Sequence, residues 1–110
     1  MIEQNTKIDT NSNLLRAVRY QEDADRYKGQ IALVTGAGRG IGRAIATSLA
    51  ATGRYVYINY KSNETAAKKT LEDIISTRAA LEESGALIQF DVASQKESED
   101  AVKSIIAKHG

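Results

Sequence analysis

Residues 30–42 read Q-I-A-L-V-T-G-A-G-R-G-I-G. The first half is a β-branched, apolar run that stops at glycine, which predicts a strand over 30–35 buried on both faces. Directly beyond it, Ile41, Ala44, Ile45, Ser48, Leu49 and Ala51 recur at helical spacing, and Gly53 is placed to end a helix in a left-handed turn. A helix is therefore expected over 39–52. Gly36, Gly38, Gly40 and Gly42 fall where a buried strand turns into a helix, and this junction decides how the rest of the chain is read.

Outward from it the alternation continues. Residues 55–60, Y-V-Y-I-N-Y, are aromatic and β-branched and predict a second strand. Lys61, Ser62 and Asn63 supply turn and cap chemistry before a polar-faced helix expected over 64–83. Gly85 precedes a third strand, A-L-I-Q-F-D-V over 86–92, and Ser94-Gln95-Lys96-Glu97 has the capping-box pattern that opens a helix to about 109. Three βα units with short connections force parallel strands. The fold class expected is α/β and Rossmann-like: half of a doubly wound parallel sheet, strand order 3-2-1. Upstream, residues 1–12 are polar and are expected to be a mobile tail, followed by a short helix over 14–27 with Ser12 as N-cap and Gly29 as stop. The chain thus divides into 1–28, tail and helix, and 29–110, the half-domain.

Composition removes several functions. The 15 basic and 14 acidic side chains nearly cancel, leaving no strong field for a nucleic-acid backbone or an anionic membrane. Cys is absent, which excludes disulfides, thiolate metal sites and a Cys nucleophile, and suits a reducing, cytoplasmic compartment. No apolar run has the length of a signal peptide or a membrane span. The single His109, near a helix C-terminus, has no partner set for metal binding and is read as favouring the helix dipole. Glu82, Glu83, Glu97, Glu99 and Asp100 are read as solvated helix faces, and Tyr55, Tyr57 and Tyr60 as ordinary sheet packing.

The glycines carry the chemistry. A diphosphate can approach backbone amides and the positive end of a helix dipole only where Cβ atoms do not obstruct it. Gly36 suits the tight turn, Gly40 the close approach, and Gly42 helix-to-strand packing. The spacing is G-x-x-x-G-x-G. It is not G-x-G-x-x-G, because the sixth position is Ile41 or Arg43, and it lacks the Gly-Lys pair of a nucleotide-triphosphate P-loop.

T-G-x-x-x-G-I-G after A-L-V-T resembles the cofactor signature of the short-chain dehydrogenase/reductase family, and K-G-Q-I-A-L-V-T-G-A-G-R-G-I-G-R-A-I-A is similar to its 3-oxoacyl-acyl-carrier-protein reductase branch. The resemblance runs from about Tyr27 to the end. It implies cofactor contacts at Gly36, Gly38, Arg39, Gly40, Ile41 and Gly42. Where NAD-binding members carry an acid at the end of the second strand, the pattern puts Tyr60; with Arg39 and Lys61 near the same pocket, NADP(H) is the cofactor expected. Asp91 and Val92, at the end of the third strand, match the family's adenine-contacting pair.

The family's catalytic Tyr, Lys, Ser and Asn would lie after the third helix, so no catalytic residue is assigned. Tyr57 and Lys61 copy the letters of Y-x-x-x-K but sit at the second strand. The chain is expected to be inactive alone and, with its first strand bare, to be marginal as a monomer. Two function classes stand open: the NADP(H)-binding part of a reductase of fatty-acid or related acyl chains, covered by a complementing C-terminal half or by self-association, and a non-catalytic nucleotide-binding module that pairs with a related reductase. Carbonyl-dependent NADPH oxidation separates the two.

Overall fold

A computed structural model describes residues 27–78 and 84–110. The tail and helix expected upstream of Tyr27 lie outside the described residues, as does the stretch 79–83. Tyr27 itself sits in a turn, its N–H donating to the Thr52 carbonyl and its ring under the Arg54 guanidinium.

Strand and helix alternate in the order β1 (Ile31–Val34), α1 (Gly40–Ala51), β2 (Tyr55–Tyr60), α2 (Glu64–Arg78), β3 (Gly85–Gln89) and α3 (Gln95–His109). The three strands form one parallel sheet with β2 in the middle, the expected 3-2-1 order. Ile31 pairs with Tyr55 and Val34 with Ile58; across β2, Val56 pairs with Gly85 and Tyr60 with Gln89.

Alternate residues of each strand face opposite sides, and the core follows that parity. Ala32 and Val34 of β1, Val56, Ile58 and Tyr60 of β2 and Leu87 of β3 meet Ala46, Leu49 and Ala50 of α1 and Ala67, Leu71 and Ile74 of α2. The alanines let α1 and α2 lie close to the sheet and to each other, and Arg43 of α1 pairs with Asp73 of α2 across their outer edge. On the opposite face Tyr55 and Tyr57 meet His109 at the end of α3. Helices therefore cover both faces of the sheet.

Four features differ from expectation, each for an identifiable reason. The strand buried on both faces is the central β2, whereas β1 pairs with β2 alone and only Val34 in it is buried. Gly85, read as preceding β3, is its first residue: a Cβ there would stand 2.3 Å from the Val56 carbonyl oxygen, so only glycine permits the pairing. The same strand ends at Gln89 and not at residue 92, because Asp91 folds the chain into a turn, accepting the Ala93 N–H on its carboxylate and the Ser94 N–H on its carbonyl. Where α3 begins, Ser94 caps Glu97 N–H as expected, but the Glu97 carboxylate reaches the Asp91 N–H at 3.0 Å and is not simply a solvated face.

Candidate functional site

The glycine turn spans the gap between β1 and α1. Gly36 and Gly40 have φ of +63° and +64°, the left-handed region in which a side chain is strained, and a Cβ on either would meet nothing within 4 Å. Gly42 is confined for the opposite reason, since its Cβ would overlap the turn backbone, and a Cβ on Gly38 would stand 3.3 Å from the Ala66 Cβ of α2. The three roles assigned to Gly36, Gly40 and Gly42 thus divide into two positions with unusual backbone and open space, and one of tight packing.

α1 starts above this turn without compensation. Its N-cap Arg39 makes no side-chain cap hydrogen bond, and its first turn holds no acidic residue. The positive end of the helix dipole and its free amides are left for another anion or for water. By contrast α2 is capped by Asn63, whose Oδ1 accepts the Ala66 N–H, and α3 by Ser94.

Beside the turn lies an open concavity of about 210 Å³. Gly36, Gly38 and Arg39 form one wall, Asn59, Tyr60 and Lys61 the floor at the end of β2, and Ser62, Asn63 and Ala66 the start of α2. Five of the residues singled out from the sequence therefore come together: Gly36, Gly38, Arg39, Tyr60 and Lys61. Gly40, Ile41 and Gly42 are not part of its wall; Ile41 is 81% exposed at the first turn of α1. Asp91 joins indirectly, through a 3.4 Å ion pair with Lys61, while Val92 stands 56% exposed beside it, outside the core. The Ala93 N–H, the largest influence, holds the Asp91 carboxyl below its ordinary value; desolvation opposes it, and the Lys61 ammonium adds to the lowering.

Tyr57 and Lys61 do not form a dyad. The Tyr57 hydroxyl is 2.7 Å from His109 Nε2, while the Lys61 ammonium faces Asp91.

Two residues at the site escaped sequence reasoning. Asn59, 3% exposed, accepts the Gly36 N–H on Oδ1 at 3.4 Å and donates from Nδ2 to the Phe90 carbonyl at 3.0 Å, so it ties the turn to the ends of β2 and β3. Thr70, fully buried on α2, has its hydroxyl 2.9 Å from the Ala37 carbonyl and 3.2 Å from that of Gly38. A buried polar residue at a strand end is the one signal that pointed to Asn59; nothing local marks Thr70.

A parallel βαβαβα arrangement with a glycine turn at its first strand-to-helix junction defines the Rossmann-like class of α/β fold. The family model for short chain dehydrogenases matches residues 30–110, and the chain belongs to that family. A 3-oxoacyl-[acyl-carrier-protein] reductase of Synechocystis sp. is 40% identical over 79 residues, which are 72% of this chain and 30% of the relative. Versicolorin reductase 1 of Aspergillus parasiticus is 52% identical over 52 residues, 47% of this chain and 20% of that protein. Among solved structures, a short chain dehydrogenase from Burkholderia cenocepacia in complex with NADP superposes with a TM-score of 0.68 at 35% identity, over 78% of this chain and 34% of that one. The chain spans roughly a fifth to a third of the length of these proteins.

Proposed function

We propose that this chain is the NADP(H)-binding portion of a short-chain reductase acting in the cytoplasm, with the diphosphate at the glycine turn and the 2′-phosphate in the concavity beside it. The observation that carries the reading is the start of α1, where free amides and an uncompensated helix dipole face open space above glycines in left-handed conformation. A diphosphate supplies the anion such a helix end lacks. Arg39 and Lys61, with Tyr60 where an acid would repel phosphate, support NADP(H) over NAD(H). Asp91 and Val92 are assigned to the adenine, the carboxylate accepting from the exocyclic amine and the apolar side chain packing on the ring.

When bound, the nicotinamide cofactor supplies the hydride for carbonyl reduction; the residues named here bind and orient it. A 3-oxoacyl thioester is the substrate class proposed for the whole enzyme, supported by the likeness to the Synechocystis relative, although a versicolorin reductase is also among the relatives. The Tyr57 and Lys61 contacts favour binding without turnover by these 110 residues alone, which is also what a non-catalytic module pairing with a related reductase would do.

The test is a titration of the purified chain with NADPH and NADH. Saturable NADPH binding, tighter than NADH and weakened by salt, is expected. Absence of saturable binding by either nucleotide overturns the reading, and NADPH oxidation that depends on an added carbonyl overturns the assignment of binding alone.

A further inference from the structure

We propose that Thr70 and Asn59, both outside the glycine motif, are positioning residues that hold the turn in its anion-receiving form before any nucleotide arrives. The proposal rests on the reading of the site given above and extends it to residues of the second βα unit.

A glycine-rich turn has little to fix its peptide planes, because glycine populates left- and right-handed conformations about equally. The difficulty for anion binding is that a rotated peptide presents a carbonyl oxygen where an N–H is needed. In this chain the carbonyls most able to rotate are held. The Thr70 hydroxyl has one proton, and the Ala37 and Gly38 oxygens lie within its reach at 2.9 and 3.2 Å, with the Ala66 carbonyl of its own helix more distant at 3.4 Å. Since N–H and C=O of one peptide point in opposite directions, drawing those oxygens toward α2 turns the amides of Gly38 and Arg39 away from it. The opposite end of the turn is fixed by Asn59, which accepts the Gly36 N–H and is itself held by the Phe90 carbonyl.

Both side chains are buried, 3% exposed for Asn59 and 0% for Thr70. A buried hydroxyl or amide is retained at a cost unless it is satisfied; Thr70 is satisfied chiefly by the turn's own carbonyls, and Asn59 joins the Gly36 N–H to the carbonyls at the ends of β2 and β3. Ala66, one helical turn before Thr70, supplies the surface on which Gly38 rests. Ala66 and Thr70 therefore form a small platform on α2 shaped to the loop.

The consequence is specific. Thr70 acts on the part of the site common to NADPH and NADH, so its loss weakens both alike and leaves the preference between them unchanged. Thr70→Val, which keeps the shape and removes the hydroxyl, is expected to weaken both nucleotides about five- to tenfold. Adenosine 2′,5′-bisphosphate, which has no diphosphate, is expected to lose less than about twofold, because electrostatic pairing in the concavity is retained. Thr70→Ser restores the nucleotide affinities. No loss for Thr70→Val, a loss confined to NADPH, or an equal loss across all three ligands with no rescue by Thr70→Ser would each overturn the proposal.

A second measurement needs no variant. In the unmodified chain without nucleotide, the Gly36 amide is expected to exchange slowly with solvent, and addition of NADPH to change its rate little. Exchange at the rate of an unstructured chain until NADPH is added overturns a turn set in advance. If the unmodified chain binds no nucleotide, the cofactor reading fails while the exchange rate still decides whether Asn59 braces the turn.

Discussion

Gly42 in α1 packs directly over Gly36 in the preceding turn: a Cβ at Gly42 would stand 2.2 Å from the Gly36 carbonyl oxygen and 2.8 Å from its carbonyl carbon. That contact closes the turn under the start of the helix, and it lets two opposing effects be compared. Alanine is about 1 kcal/mol better than glycine in a helix interior, yet the clash is with backbone that no rotamer change relieves. Overpacking of this kind costs about 1–3 kcal/mol. Gly42→Ala is therefore expected to lower stability by up to about 2 kcal/mol in a denaturant titration, and to weaken NADPH because the turn must open. Gly36→Ala meets no neighbour, and its cost is the left-handed backbone, about 1–2 kcal/mol. If either variant is more stable than the parent, the corresponding account of that glycine is wrong.

Arg39 and Lys61 line the same concavity, one from the turn and one from the end of β2. Replacing Arg39 by Glu removes a cation suited to phosphate and adds an anion suited to a ribose hydroxyl. The ratio of NADPH to NADH affinity is expected to fall by more than about tenfold, the equivalent of about 1.4 kcal/mol, and to invert. Fluorescence titration with both nucleotides reads it, and an unchanged ratio would separate Arg39 from the 2′-phosphate.

The features legible in the sequence were those encoded within a few residues. The apolar runs at β1 and β2, the glycine at 53 that ends α1 with φ of +96°, and the capping box of Ser94 and Glu97 all act over one turn or one strand. β3 ends earlier than the apolar alternation through Phe90 and Val92 predicts, because the Asp91 carboxylate accepts the Ala93 N–H and bends the chain. The braces of the site were illegible because they depend on chain separation. Thr70 lies 33 residues from the carbonyl nearest it, and as a helical Thr between Lys69 and Leu71 it carries no local sign of that contact. Asn59 shares one turn, two strand ends and three carbonyls, a set that exists only after the parallel pairing has formed.

Asp91 gives a dependence on pH whose sign is fixed by its surroundings. The Ala93 N–H and the Lys61 ammonium favour the carboxylate in the folded chain, so the folded-state value lies below the ordinary 3.8. A depressed acid contributes stability that is present above its unfolded value and is lost as pH falls through the folded one. The stability difference between the parent and Asp91→Asn is therefore expected to be constant near neutrality and to shrink below about pH 4. Denaturant titrations from neutrality to the acid range provide the comparison. A difference that stays constant or widens on acidification contradicts the contacts at Asp91.

Tyr57 and His109 supply a case in which the two halves of one hydrogen bond have unequal consequences. The Tyr57 ring is buried on β2, 5% exposed, while His109 lies at the solvent-exposed end of α3 with its Nε2 2.7 Å from the phenol oxygen and its ring against both Tyr55 and Tyr57. Tyr57→Phe removes the buried polar atom together with the bond, and the imidazole left behind can turn to water. The expected loss is about 0.5–1 kcal/mol. His109→Ala strands the phenol hydroxyl under the sheet and also forfeits the ring contacts, which puts the loss at about 1–3 kcal/mol. Unfolding of the two variants and of the double variant measures the difference. If Tyr57→Phe proves the more damaging, α3 is held to the sheet by something other than this bond.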